Sequence, residues 1–373
     1  MTRFWLGGYG AGMEGSAEGI GLLAGDEEAA TALAFRGTAA AAPSPSWLAR
    51  HPRLDVVYAA LEGDAAVQAF ARTGEASLAP LGDPVAAGEA VCHLAVSADG
   101  SAVIASCYGD GQVIRYGIAA DGRLVEPAAD KAAALREALF GEGEGDSGTG
   151  RRSGRPGRGA AASDPYPTPA GAEPRVSHAH AAAFLPDGRV ATTDLGFDLV
   201  RIWRQSASGL ELDQEVALPR GTGPRHMVVH PSGHLHIVTE YSCEVFTLAS
   251  AADGSWSIVS ATLVSPAASV GTDFPAELAR SRDGRTLYTA LRGSNTIAAL
   301  RVEGSGERLA PFALADSGVD WPRHHLVFEG KLLVAGQRSD SVTLLDLDER
   351  TGAPLGVRRT TQAPTPTCFL PVR

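Results

Sequence analysis

Two short rows of residues hold most of the side chains in this sequence that can do chemistry. The first row reads Ser46-Trp47, Cys92-His93, His180-Ala181, Arg225-His226, Ala276-Glu277 and Arg323-His324, each pair standing just before an apolar run. The second row stands just after the next apolar run and reads Glu62, Tyr108, Leu195, Glu240, Arg292 and Gln337. Together they place Arg225, Arg292, Arg323, Glu62, Glu240, Glu277, His180 and His226 at equivalent points of a repeating pattern. Arginine forks hold carboxylate or phosphate through paired hydrogen bonds. A histidine or glutamate among them can activate water or move a proton, and an arginine can stabilise an oxyanion on a carbonyl under attack. Each residue also has a plain structural reading: a lone histidine beside a strand is usually a satisfied neighbour, and an Arg–Glu pair is often only a salt bridge. The accumulation carries more weight than any single member. There is no GxSxG nucleophile elbow. His178 and His180 look like a metal pair, but no HExxH or CxxC supports one, so no metal and no cofactor is expected.

These rows exist because the chain repeats. Six copies, Pro45 to Phe70, Val91 to Tyr116, Ser177 to Trp203, Gly223 to Leu248, Phe274 to Leu300 and Trp321 to Leu345, each show a polar signature and three apolar runs separated by turns. A repeat of roughly 40–50 residues built from short strands marks a β-propeller. In the copy beginning at Gly223 the strands are expected at His226–His230, Leu235–Thr239 and Glu244–Leu248, with a turn at Pro231-Ser232-Gly233. A weaker fourth strand falls in each linker, Glu215–Leu218 and Ala261–Val264 being examples. The first strand of each copy should line a central channel. Antiparallel strands reverse direction, so the end of the second strand lies beside the start of the first, and both rows meet at one mouth. Arg201, by contrast, is expected on an outer strand, where its loss would be neutral.

The seventh copy comes from the two ends. Three runs, WLGGYG, GIGLLAG and ATALAF, lie between Arg3 and Phe35, and Thr367–Arg373 supplies a last strand with no blade of its own. The expected fold is all-β: a single domain over residues 1–373, a seven-bladed β-propeller closed by N- and C-terminal strands, which leaves no open edge. One stretch, 128–176, breaks the rhythm. Ala132–Phe140 reads as a short helix, and the Gly/Pro/Ser-rich run after it as a flexible insertion. Arg151, Arg152, Arg155 and Arg158 keep a substrate-covering lid in view for an anionic ligand.

A net charge of -11 argues against nucleic acid or an anionic membrane as the partner, though a local cluster of arginines can still hold a small anion. The four cysteines show no pairing motif and sit in or beside apolar runs, as buried thiols do. No run approaches the ~18 apolar residues of a membrane span. The opening MTRFWLGGYG lacks the apolar core of a signal peptide. A soluble, cytoplasmic protein is expected, with a monomer favoured.

The segments SHAHAAAFLPDGR, DLGFDLVRIW, GPRHMVVHPSG, FPAELARSRDGRTLY and ALRGSNTIAAL, with WLGGYG and EGIGLL at the start, resemble the seven-bladed propeller lactonases over essentially the whole chain. That family includes the bacterial propeller-type 6-phosphogluconolactonases and the fungal carboxymuconate cyclases. The resemblance implies a substrate cleft without metal, in which His180, with His178 beside it, matches the family's histidine. Arg225 matches the arginine of its GPRH motif, Glu240 the glutamate after the second strand, Glu277 the glutamate of PAE, and Arg292 the following arginine. Where the family usually has Asn before the ring residues, this chain has Leu61, Thr239, Leu291 and Gly336, which bears on the substrate more than on the reaction. The expected activity is hydrolysis of a small anionic sugar lactone, 6-phosphogluconolactone above all, in the pentose phosphate pathway. His180, Arg225, Glu240 and Arg292 are the expected catalytic set, with the base either His180 or Glu240. His178, His226, Glu277, Arg323, Glu62 and Gln337 are expected to bind substrate. The alternatives are a carboxymuconate-type cycloisomerase using the same cleft, and a non-enzymatic binding propeller with Trp47, Tyr108 and Trp321 at its mouth.

Overall fold

Each repeat folds into an antiparallel sheet, of four strands in six blades and with a short fifth, Val85–Ala86, in the blade that begins at Pro45, and the sheets are arranged around an axis as the seven blades of a β-propeller. These features come from a computed structural model that describes residues 2–25, 33–125, 164–169, 171–206 and 209–373. The inner strands are Pro366–Pro371, Pro45–Arg50, Val91–Val96, Ala179–Phe184, Pro224–Val229, Phe274–Arg280 and Pro322–Phe328, for blades one to seven in that order. Apolar side chains form seven clusters, one between each pair of neighbouring blades. Between blades four and five, for example, Val200 and Ile202 meet Ile237 and Phe246. Burying both faces of the middle strands this way explains why they read as apolar runs without strict alternation.

The ring closes as expected. The C-terminal strand Pro366–Pro371 pairs antiparallel with Thr2–Gly8, which pairs with Gly19–Gly25 and that with Ala34–Ala41. The N-terminal and C-terminal strands thus share blade one. Glycine is needed at the seam to blade two: a Cβ on Gly7 would lie 2.5 Å from the Pro45 carbonyl oxygen.

Two expectations change. The outer strands, expected as short linker pieces, run over Gly209–Ala217 and Trp256–Leu263. They are largely exposed, so no apolar pattern marks them, and backbone pairing with the third strand extends them. Arg201 is not a neutral outer residue. It lies on the third strand of its blade, is 2% exposed, and donates from Nη1 to Asp194 Oδ2 at 2.6 Å and from Nε to Glu215 Oε1 at 2.9 Å. Asp194 also accepts from the backbone N–H groups of His178 and Phe197, which tethers the entry to the inner strand. Removing one partner strands a buried charge. Arg201→Ala is therefore expected to lose about 3–5 kcal/mol of stability. Chemical denaturation checks this, and an unchanged midpoint would mean that Asp194 is not held by this pair.

Most of the excursion after the third blade, including Ala132–Phe140 and the four arginines of the lid reading, lies outside the described residues. Its end is described and packs on blade four. Arg175 Nε donates to Asp164 Oδ2 at 2.9 Å, Arg175 also pairs with Asp198, and the Tyr166 hydroxyl donates to the Leu218 carbonyl.

Candidate functional site

The same irregularity opens every inner strand. Pairing with the second strand slips by one residue between Pro45 and Trp47, around Cys92, between Ala179 and Ala182, between Pro224 and His226, between Pro275 and Leu278, and between Pro322 and His324. The closing strand does the same at Thr367. A β-bulge presents two consecutive side chains where a regular strand would present one. The two residues of each pair in the first row are therefore both carried at the channel. The upper ring comprises Ser46, Cys92, His180, Arg225, Ala276, Arg323 and Thr367. The lower ring comprises Trp47, His93, Ala181, His226, Glu277, His324 and Cys368.

The entry to five of these seven strands is also built alike. Ser44, Ala90, Gly223, Trp321 and Thr365 all have positive φ, from 32° to 64°. Trp321 is the costly member, since a bulky side chain disfavours the left-handed region. Its N–H is held by Asn295 Oδ1 at 3.0 Å. Its ring lies between two guanidiniums, Arg338 at 3.5 Å and Arg292 at 5.4 Å from the centroid.

Blades five and six supply the most charged part of the mouth. Glu240 Oε2 lies 2.7 Å from Arg292 Nη2 and 2.9 Å from Arg225 Nε. The Arg225 approach lacks the alignment of a hydrogen bond and is an ion pair only. Arg292 Nε also donates to the Phe274 carbonyl at 2.9 Å, which fixes its fork. Burial alone would push Glu240 up, but Arg292 and Arg225 more than offset it and hold the carboxylate below the usual glutamate range. Burial, with Arg225 adding to it, lowers Arg292 to about 10, so it stays charged at neutral pH. Arg225 Nε has no hydrogen-bond partner among the described residues.

His180 sits on the neighbouring blade, 8% exposed, with its Nδ1 unpartnered. Burial first, then Arg225 and Arg323, holds it well below the ordinary value of 6.5, so the ring is neutral. His178 is turned differently. Its ring stacks on Tyr108 at 4.4 Å, and its Nδ1 lies 2.6 Å from the Tyr108 carbonyl oxygen. Across the mouth, Arg323 donates to Gln337 Oε1 at 3.3 Å and lies over the Tyr9 ring, while the Tyr9 hydroxyl donates to Glu62 Oε1 at 3.2 Å. Eight of the ten residues singled out in the sequence thus lie at this mouth, and His226 and Glu277 lie in the layer below it. Tyr9 joins them from the N-terminal blade, whose sequence does not repeat the pattern of the other six and so carries no mark of it.

Below this layer Trp47 spans the channel. Its ring lies 4.4 Å from His93, 5.3 Å from His324 and 5.6 Å from His226, which come from three other blades. Glu277 Oε2 lies 3.5 Å from His226 Nε2 and 3.9 Å from His324 Nε2. Neither contact is an ion pair at neutral pH. Burial, only partly opposed by Arg225, pushes Glu277 up to about 8. Burial first, then neighbouring histidines and Arg225, holds His226 and His324 well below 6.5, and burial with Arg225 holds His93 at about 3.

These shifts act on stability in opposite directions. From about 4.5 to about 8 the unfolded chain releases the Glu277 proton while the folded chain keeps it, so this contribution is lost as pH rises. Below 6.5 the unfolded chain binds protons that the buried histidines refuse, so theirs is lost as pH falls. Glu277→Gln is expected to flatten the alkaline loss and leave the acid loss intact. Urea midpoints measured from pH 5 to 9 decide it; an alkaline limb unaltered in the variant would assign that loss to another group.

The fold and this mouth define a propeller with a charged axial cleft. The family model described as Lactonase, 7-bladed beta-propeller, matches residues 3–371, and the chain belongs to that family. It is 25% identical to the 6-phosphogluconolactonase of Bacillus subtilis, over 99% of this chain and 98% of that protein. A solved structure of a Lactobacillus plantarum protein superposes with a TM-score of 0.80 at 24% identity, covering 100% of both chains. The periplasmic gluconolactonase of Pseudomonas aeruginosa superposes with a TM-score of 0.79 at 21% identity, over 100% of this chain and 99% of that one. The two superpositions establish a shared fold. No helix among the described residues is long and apolar enough to cross a membrane.

Proposed function

We propose that this chain hydrolyses a sugar lactone, with 6-phosphogluconolactone as the substrate its charge suits best. The observation that carries the reading is the meeting at one mouth of two residues with unused hydrogen-bonding atoms among the described residues: Arg225, whose Nε touches Glu240 only as an ion pair, and His180, whose buried Nδ1 has no partner. Both residues stand at the bulges that open the inner strands of neighbouring blades, so they meet at the same mouth. The lactone carbonyl oxygen accepts from Arg225 and Arg292. His180 takes a proton from water as the water oxygen bonds to the carbonyl carbon. The ring C–O bond then breaks, and the leaving alkoxide recovers that proton. Arginines already in place at the developing oxyanion need no reorganisation during the reaction.

The base is assigned to His180. Glu240, locked between two guanidiniums and held below the usual range, instead keeps the arginines aimed. Arg323 has no carboxylate within ion-pair distance among the described residues, and Glu277 is uncharged at neutral pH, so cations outweigh anions where substrate would lie. That surplus favours a phosphorylated lactone over a neutral one. Four buried, unpaired cysteines suit a reducing, cytoplasmic setting, and a ring closed within one chain suits a monomer.

The test is a hydrolysis assay with gluconolactone and 6-phosphogluconolactone. Both should be turned over, the phosphorylated one with kcat/KM higher by about tenfold or more. No hydrolysis of either, with isomerisation of a carboxymuconolactone instead, would move the same cleft to the cycloisomerase reading. Activity on none of them would leave a binding propeller.

A further inference from the structure

We propose that Tyr9, Glu62 and Arg323 form a second recognition subsite that reads the hydroxyl groups of a polyhydroxylated lactone. It rests on the lactonase reading and names the substrate class more narrowly. The three side chains come from blades one, two and seven, across the mouth from Arg225, Glu240 and Arg292 on blades five and six.

Two groups there are left half-used. Glu62 is 8% exposed; its Oε1 accepts from the Tyr9 hydroxyl at 3.2 Å, but its Oε2 is buried with no partner. Among the described residues the guanidinium of Arg323 makes a single hydrogen bond, to the neutral Gln337 Oε1 at 3.3 Å, and lies over the Tyr9 ring at 5.0 Å. Tyr9 links the two: its hydroxyl reaches Glu62 and its ring lies under Arg323, so a side chain that starts on blade two meets groups of blades one and seven at the mouth. The unpartnered Oε2 belongs to that cluster.

A buried acceptor without a donor is costly, and so is a guanidinium with most of its N–H groups unused. The two do not satisfy each other: Arg323 and Glu62 stay beyond ion-pair distance. One kind of ligand satisfies both. A hydroxyl donates its O–H to Glu62 Oε2, while its own or a neighbouring oxygen accepts from Arg323. A bare anion would answer Arg323 but press against the Glu62 carboxyl. An aliphatic ring would answer neither. Cys92 is no rival partner, since burial pushes its thiol up to about 12 and its Sγ lies 3.5 Å from the His180 carbonyl oxygen. The subsite thus suits the hydroxylated carbons of a sugar lactone while the carbonyl lies at Arg225.

The experiment compares glucono-1,5-lactone, which carries hydroxyls, with δ-valerolactone, which carries none, in wild type and Glu62→Gln. The ratio of their kcat/KM values should fall about 10- to 100-fold in the variant, because the hydrogen bond that is lost is one only the hydroxylated substrate makes. The Kd of gluconate, measured by titration calorimetry, should weaken by a similar factor. An equal fall for both lactones, or an unaltered gluconate Kd, would overturn the subsite. Should Glu62→Gln fail to fold, Tyr9→Phe carries the same comparison, with a shift in the same direction of about 3- to 10-fold. Wild type that hydrolyses neither lactone overturns the hydrolytic reading instead. Gluconate binding and its response to Glu62→Gln then still decide the subsite, and wild type that binds no gluconate ends it.

Discussion

Arg225→Ala is expected to lower kcat/KM on a sugar lactone by roughly 100- to 1000-fold while leaving the fold intact. The loss matches that of removing one preorganised donor to an oxyanion, about 3–4 kcal/mol of transition-state stabilisation. The fold should survive because Glu240 keeps Arg292, whose own fork is tied to the Phe274 carbonyl. Arg225→Lys should recover little, since a point charge cannot reproduce the fork. Arg285→Ala is the control: its side chain is 79% exposed and only 4.0 Å from Asp283, a surface pair of negligible worth. Arg201 cannot serve, being a buried part of blade four. Retention of full activity by Arg225→Ala, with a melting temperature near that of wild type, would remove the upper ring from the reaction.

Deleting Thr367 to Arg373 is expected to destabilise the whole molecule, lowering the melting temperature by at least about 10 °C or preventing soluble accumulation. The segment supplies most of the inner strand of blade one. It buries Cys368 at 1% and Phe369 at 3% exposure, and the Thr367 hydroxyl donates to the Ser46 carbonyl on blade two at 2.8 Å. Loss of a buried phenylalanine alone costs about 3–5 kcal/mol, a large share of a typical margin. The deletion also uncovers the edge of Thr2–Gly8 and separates blades one and two at the channel. A thermal melt measures it, and an unaltered transition would mean that the ring does not depend on this strand.

Much of this was legible in the chain itself. The repeat determined the propeller, because each copy carries apolar runs at strand length that only neighbouring copies can cover. The leftover CFLPV run determined closure, because a strand with no blade has one place to go. Aligning the copies brought Arg225, Glu240, Arg292 and His180 to one mouth, because antiparallel strands return to the level they left. What the repeat could not convey was the bulge at each inner strand, since a one-residue slip in pairing leaves no mark in composition or spacing. That slip is why Arg225 and His226 both reach the channel instead of pointing to opposite faces. Nor could the sequence separate the roles of similar residues. Glu240 and Glu277 are both glutamates of the same rows, yet one is ionised between two guanidiniums and the other holds its proton among neutral histidines. Arg201 and Arg225 are both arginines in apolar surroundings, yet one braces a blade and the other faces the cleft. Charge state and direction depend on what lies across the fold within a few ångströms, and those neighbours come from other blades.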